Sequence, residues 1–232
     1  MINNLQSHFL LLQINDSLFP IGAYSHSYGL ETYIQKDIVY NTATATEYIQ
    51  KKLKYNFLYT DLLAVRLAFE YTKNNELIKL DELEDIMEAS RIPLELREAS
   101  KKLGNRFIKT LTHMDIPYKR ECFRKYLEIR KSKTTCHPCA YGVFCACTEI
   151  SQEEALANYI YAQASAMVTN CVKTIPLSQS DGQKILFSLY PTFSEMLKKA
   201  KETTEEMLCA STPGFDLRSI QHEYLYSRLY MS

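Results

Sequence analysis

Apolar residues recur at helical spacing along the whole chain. Between Leu94 and Leu111, Leu96, Ala99, Leu103, Phe107 and Leu111 fall on one stripe, while Arg97, Glu98, Lys101, Lys102, Asn105 and Lys109 lie mostly off it. That pattern predicts an amphipathic helix facing a core. Three pairs stand at capping-box spacing, Ser151 with Glu154, Ser180 with Gln183 and Thr192 with Glu195, and each predicts a helix start. Behind the first of them, Leu156, Ile160, Gln163, Met167 and Cys171 share a face, with Asn170 beside it. The prolines at 20, 93, 117, 138, 176, 191 and 213 fall between periodic segments, where a missing N–H and a restricted preceding residue end helices. They punctuate roughly eight to ten helices, with boundaries good to about two to four residues. Asn41 to Thr46 reads as a short Thr/Ala-rich connector. No long strand-like alternation, repeat or low-complexity linker interrupts the pattern. The expected architecture is all-α, a single-domain helical bundle over residues 1–232.

Composition agrees with this picture. Hydrophobic residues make up 46% and charged residues 23%, which places the chain among globular proteins. Only six glycines and seven prolines serve 232 residues, too few tight turns for a sandwich or barrel. Lys plus Arg equals Asp plus Glu at 27 each, so no global positive field holds nucleic acid or an anionic membrane. The opening lacks a basic leader region, and no apolar run approaches the ~18 residues of a membrane span. A cytoplasmic protein is expected, with its seven cysteines as reduced thiols.

The search for chemistry finds little. There is no Gly-rich phosphate loop, no G-x-G-x-x-G and no H-E-x-x-H. Cys136-His137-Pro138-Cys139, followed by Cys145 and Cys147, offers soft metal ligands at a spacing that is only half right. Cys145 and Cys147 would diverge by about 200° on a helix. Buried free thiols are therefore the favoured reading; the alternative is a metal site using Cys136, His137 and Cys139. Ser25-His26-Ser27 places a base beside hydroxyls without an acid to orient it, and a capped turn explains it equally. Seventeen tyrosines and no tryptophan are distinctive, with groups at Tyr24, Tyr28 and Tyr33 and at Tyr224, Tyr226 and Tyr230. Tyrosine suits protein interfaces as well as cores.

Three separated segments together resemble the UreF-type urease accessory proteins. They are Leu11 to Glu31 (LLQINDSLFPIGAYSHSYGLE), Pro176 to Gln183 (PLSQSDGQ), and the tail from Thr212 to Ser232 with its Thr-Pro, His-Glu and Arg-Leu pairs. Arg97, Ser100 and Gly104 are similar to a further helical element of that family. Ser178, Ile21 and Ala23 depart from its usual residues, and the cysteine cluster is not part of its pattern. The resemblance implies an all-helical homodimer without a catalytic centre or cofactor of its own. It would bind a UreD/UreH-type scaffold and a UreG-type GTPase, support nickel insertion into apo-urease, and regulate GTP hydrolysis. The partner-binding residues expected on this basis are Pro20, Gly22, Tyr24, Ser25, Ser27, Gly29 and Glu31 in the first segment. Gln179, Asp181 and Gln183 follow in the second, and His222, Glu223, Tyr224, Arg228 and Leu229 in the third. Residues 212–232 are expected to order against a partner, being rich in apolar anchors for a chain end.

Overall fold

The computed structural model describes residues 4–22, 26–114, 116, 120–148, 150–210 and 212–230. Among these residues all regular structure is helical. The order is α1 (Asn4–Ile14), α2 (Leu30–Gln35), α3 (Thr42–Lys52), a π-helical stretch (Leu53–Leu62), α4 (Leu63–Asn74), α5 (Leu77–Ser90) and α6 (Leu94–His113). There follow α7 (Arg120–Ile129), α8 (His137–Cys147), α9 (Gln152–Thr174), α10 (Gln179–Ser188), α11 (Tyr190–Glu202), a 3-10 turn (Glu205–Met207) and α12 (Pro213–His222). The segments outnumber the eight to ten expected, in part because α2, with six residues, is too short to show periodicity. In the opposite sense, α3, the π-helical stretch and α4 run on as one rod.

The centre of the bundle is α8. Every residue of it is buried, as a helix without a charged side chain demands when apolar groups occupy all its faces. It packs against α4, α6, α7 and α9. Gly142 makes the approach to α4 close: a Cβ there would stand 2.5 Å from the Val65 carbonyl oxygen and 3.0 Å from the Ala68 methyl. Phe107 of α6 meets Phe144 of α8 edge-on at 6.1 Å, and Tyr141 lies 4.8 Å from Tyr159 of α9. The α6 stripe is as predicted, with Leu96, Ala99, Leu103, Phe107 and Leu111 all buried.

The predicted caps fare differently. Ser151 and Glu154 form a reciprocal box at the start of α9. In the second case the box is two residues earlier, with Ser178 and Asp181 exchanging the bonds, so Ser180 lies inside α10. In the third, α11 begins at Tyr190 with Pro191 in its first turn, and Thr192 is a buried helix residue. Asn41 to Thr46 is no connector: Asn41 caps α3, its side chain accepting from the Thr44 N–H at 2.9 Å. Among the described residues no helix is long and apolar enough to cross a membrane.

Candidate functional site

Two of the three resembling segments meet in space. Gly22 takes a φ of +82°, and Tyr24 and Ser25 fall outside the described residues. Past them, the His26 carbonyl accepts from Asn170 Nδ2 of α9 at 2.9 Å, and the Ser27 side chain is buried. Tyr28 (φ 53°) and Gly29 (φ +82°) then turn the chain into α2. Gly29 has a second reason to be glycine: a Cβ would lie 2.7 Å from Ser219 Oγ and 3.1 Å from the Ser219 backbone. The start of α2 and the middle of α12 are thus in backbone contact.

Glu31, in the first turn of α2, is the hub of that contact. Its carboxylate is buried and accepts from three donors on the tail: His222 Nε2 at 3.0 Å, the Leu229 N–H at 2.7 Å and the Tyr230 N–H at 3.0 Å. The other ring nitrogen of His222 faces Glu95 of α6 at 2.7 Å, and Arg228 donates to the second Glu95 oxygen at 2.6 Å. Each ring nitrogen of His222 thus faces a carboxylate oxygen from a different helix, which ties α2 and α6 together through the tail. Three further bonds secure the segment. Thr32 Oγ1 donates to the Arg218 carbonyl at 2.8 Å, Gln35 Nε2 to the Ser227 carbonyl at 2.8 Å, and Asn56 Nδ2 to Thr212 Oγ1 at 2.6 Å. Tyr33, Tyr48 and Phe215 add an aromatic cluster beneath, and Lys52 Nζ stands 4.6 Å above the Phe215 ring. Burial pushes the Lys52 amine down to about 8.

The tail that the sequence presents as partner-ordered therefore lies docked on α2 and α6. Its polar residues divide into two sets. His222 is fully buried and tied to Glu31 and Glu95, and Glu223 is half-buried. In contrast, the large side chains of Tyr224 (82% exposed), Tyr226 (105%) and Leu229 (75%) face solvent from the docked backbone. Pro20 is exposed at the start of the turn. The Gln179, Asp181 and Gln183 run is elsewhere. It opens α10, which packs on α9 and α3; Gln179 and Gln183 are exposed, and Asp181 is the capping partner of Ser178.

The other chemical candidates separate. His137 does not join the thiols: its ring sits edge-on to Phe107 at 5.1 Å, with Nδ1 3.4 Å from the Tyr159 hydroxyl, and burial pushes it down to about 4. Cys145 lies in the core and Cys147 meets Cys122 of α7, on diverging faces as the spacing requires. His26 is buried, and burial followed by the charges of Lys102 and Arg106 pushes it below its ordinary value. Sequence reasoning missed Glu95 and Ser219, because one reads as part of a solvated charged face and the other as a small polar helix residue. Their roles arise only from contacts far apart along the chain.

Comparison with known proteins agrees with the segments quoted above. Residues 39–190 match the UreF family profile. The urease accessory protein UreF of Actinobacillus pleuropneumoniae serotype 5b (strain L20) is 36% identical over 225 residues, covering 96% of this chain and 97% of that protein. The same-named protein of Haemophilus influenzae (strain PittGG) is 35% identical over 222 residues, 96% of this chain and 94% of its own. That of Bacillus sp. (strain TB-90) is 33% identical over 224 residues, with 96% and 97% covered. Both the turn around Glu31 and the whole of the tail lie outside the profile's span, yet the relatives align across nearly the whole chain. With a family profile over more than half its length and relatives of this identity along almost all of it, the chain belongs to the UreF family of urease accessory proteins.

Proposed function

We propose that this protein supports urease maturation as a non-catalytic adaptor in the cytoplasm. As a homodimer it binds a UreD/UreH-type scaffold and a UreG-type GTPase, brings them to apo-urease for nickel insertion, and regulates GTP hydrolysis by the GTPase. The observation that carries the reading is the docked tail. The buried Glu31 carboxylate fixes the backbone at Leu229 and Tyr230, and Tyr224, Tyr226 and Leu229 stand exposed beside it. Large apolar side chains on a pre-ordered mount lose little conformational freedom on binding, which is what an interface anchor requires. Pro20 and the turn into α2 extend the same region. The polar run at Gln179 and Gln183, on a different helix, suits a separate contact and hence a second partner.

The test is a binding assay of the purified protein against each partner. Replacing Tyr224, Tyr226 and Leu229 together by alanine leaves the core intact, since all three side chains are solvent-facing. Loss of scaffold binding with unchanged helicity supports the reading. Unchanged affinity for both partners refutes this surface as the docking site.

A further inference from the structure

The Cys-x-x-Cys pair at the start of α8 lies beside a carboxylate from another element. Cys136 is the N-cap of α8 and Cys139 sits in its first turn, while Glu84 comes from α5. All three are buried, and two sulfurs and a carboxylate oxygen lie within 4.8 Å of one another. A tetrahedral cation bonded to thiolates at ~2.3 Å and to a carboxylate at ~2.1 Å keeps those atoms roughly 3.4–3.8 Å apart.

The surroundings favour a cation. Glu84 is already oriented, one oxygen accepting from the Tyr126 hydroxyl and the other from the Cys136 N–H at 2.8 Å. Each oxygen keeps a lone pair, and held carboxylates of this kind are what metal sites use to fix their ligands. Two thiolates and a carboxylate against a divalent ion leave one negative charge in excess. Arg91, paired with Asp61, and Arg130, paired with Asp81 and Asp85, stand near enough to act electrostatically on Cys136 and Glu84 respectively and moderate that charge.

We propose that Glu84, Cys136 and Cys139 form a structural site for one soft divalent cation, zinc by its donor set, with a water or the Tyr126 hydroxyl as fourth ligand. Binding displaces the thiol protons to solvent and leaves both sulfurs as thiolates. The ion ties α5 to the start of α8. All three protein ligands are buried in the core, so the site retains its ion and has no part in passing one on. This inference is independent of the accessory role and stands or falls separately from it.

The full chain, purified under reducing conditions without chelator, is expected to carry about one zinc per molecule by elemental analysis. Cobalt added to the metal-free protein is expected to produce a thiolate-to-cobalt charge-transfer band and the intense visible bands of tetrahedral coordination. Cys139→Ser abolishes both, Cys209→Ser leaves them, and Glu84→Gln weakens cobalt binding on the order of 10–100-fold. Should the core variants fold poorly, the wild-type protein still decides. Chelator is expected to lower its melting temperature and to expose two more thiols to a thiol reagent. A wild-type protein that holds no zinc and gives no charge-transfer band with cobalt overturns the proposal.

Discussion

Replacing Glu31 by alanine is predicted to release the tail while leaving the bundle folded. The carboxylate accepts three hydrogen bonds from residues 222, 229 and 230 and is almost fully buried. Such hydrogen bonds contribute about 0.5–1.5 kcal/mol each, and leaving their buried donors without a partner costs roughly 1–3 kcal/mol more for each. The apolar contacts of the last residues are weak by comparison, since Tyr224, Tyr226 and Leu229 are exposed and only Tyr230 is buried. That one ring supplies roughly 1.5–3 kcal/mol. Against it stands about 1–2 kcal/mol of backbone entropy for every residue held in place. The Arg228–Glu95 and Gln35–Ser227 bonds remain but are solvent-exposed and contribute at most about 1 kcal/mol each, so without Glu31 the balance turns against order from residue 223 onward. Hydrogen exchange read by mass spectrometry checks this directly. Amides at 229 and 230 are expected to be protected in the wild-type protein and to exchange rapidly in Glu31→Ala, with peptides from α8 and α9 unchanged. Equal protection of the tail in both proteins would refute the reasoning, as would global loss of protection.

Other consequences follow from the same geometry. Gly29→Ala meets both a left-handed backbone and the Ser219 backbone, so it is expected to lower unfolding free energy by roughly 2 kcal/mol or more; a change below half a kcal/mol would contradict the close approach of α2 and α12. His137, pushed down to about 4 by burial, favours the folded state only while neutral. Its contribution is complete above its unfolded pKa of about 6.5 and is lost as pH falls from there toward 4, which amounts to about 2 kcal/mol by pH 5. Urea unfolding should show that loss in the wild-type protein and a smaller one in His137→Leu; identical pH profiles would argue against it. Ser151→Ala removes one half of the α9 capping box and is expected to cost about 1 kcal/mol, measured by denaturant midpoint. Light scattering at micromolar concentration is expected to give a dimer, and a monomer at every accessible concentration would exclude that part of the proposed function.

How much of this was legible in the sequence depends on the range of the interaction. The α6 stripe and the Ser151–Glu154 cap are local patterns, and both appear in the structure. Local spacing alone could not choose between Ser178–Asp181 and Ser180–Gln183, since both pairs are three residues apart; in the structure the bonds are made by Ser178 and Asp181, and Gly182 packs closely on Val172 of α9. Asn41 was missed because threonine, rather than a carboxylate or amide, supplies the returning bond. The turn and the tail were each recognisable as segments, whereas their union was not. Glu31 and His222 are 191 residues apart, and His222 and Glu95 are 127 apart. Nothing in a solvated-looking glutamate on α6 announces a buried histidine opposite. Likewise, Cys136 and Cys139 were evident as a pair, but the carboxylate beside them comes from α5, and the histidine between them turns into the core.

The central claim is that this chain acts on urease through partners and not through chemistry of its own. Its most direct test is reconstitution of urease activity from apo-urease, nickel, GTP and the UreD/UreH-type and UreG-type proteins, with this protein present, absent, or carrying alanine at Tyr224, Tyr226 and Leu229. The account predicts activation that depends on the wild-type protein and falls toward the protein-free baseline with the triple variant. Equal activation with and without the protein would contradict it.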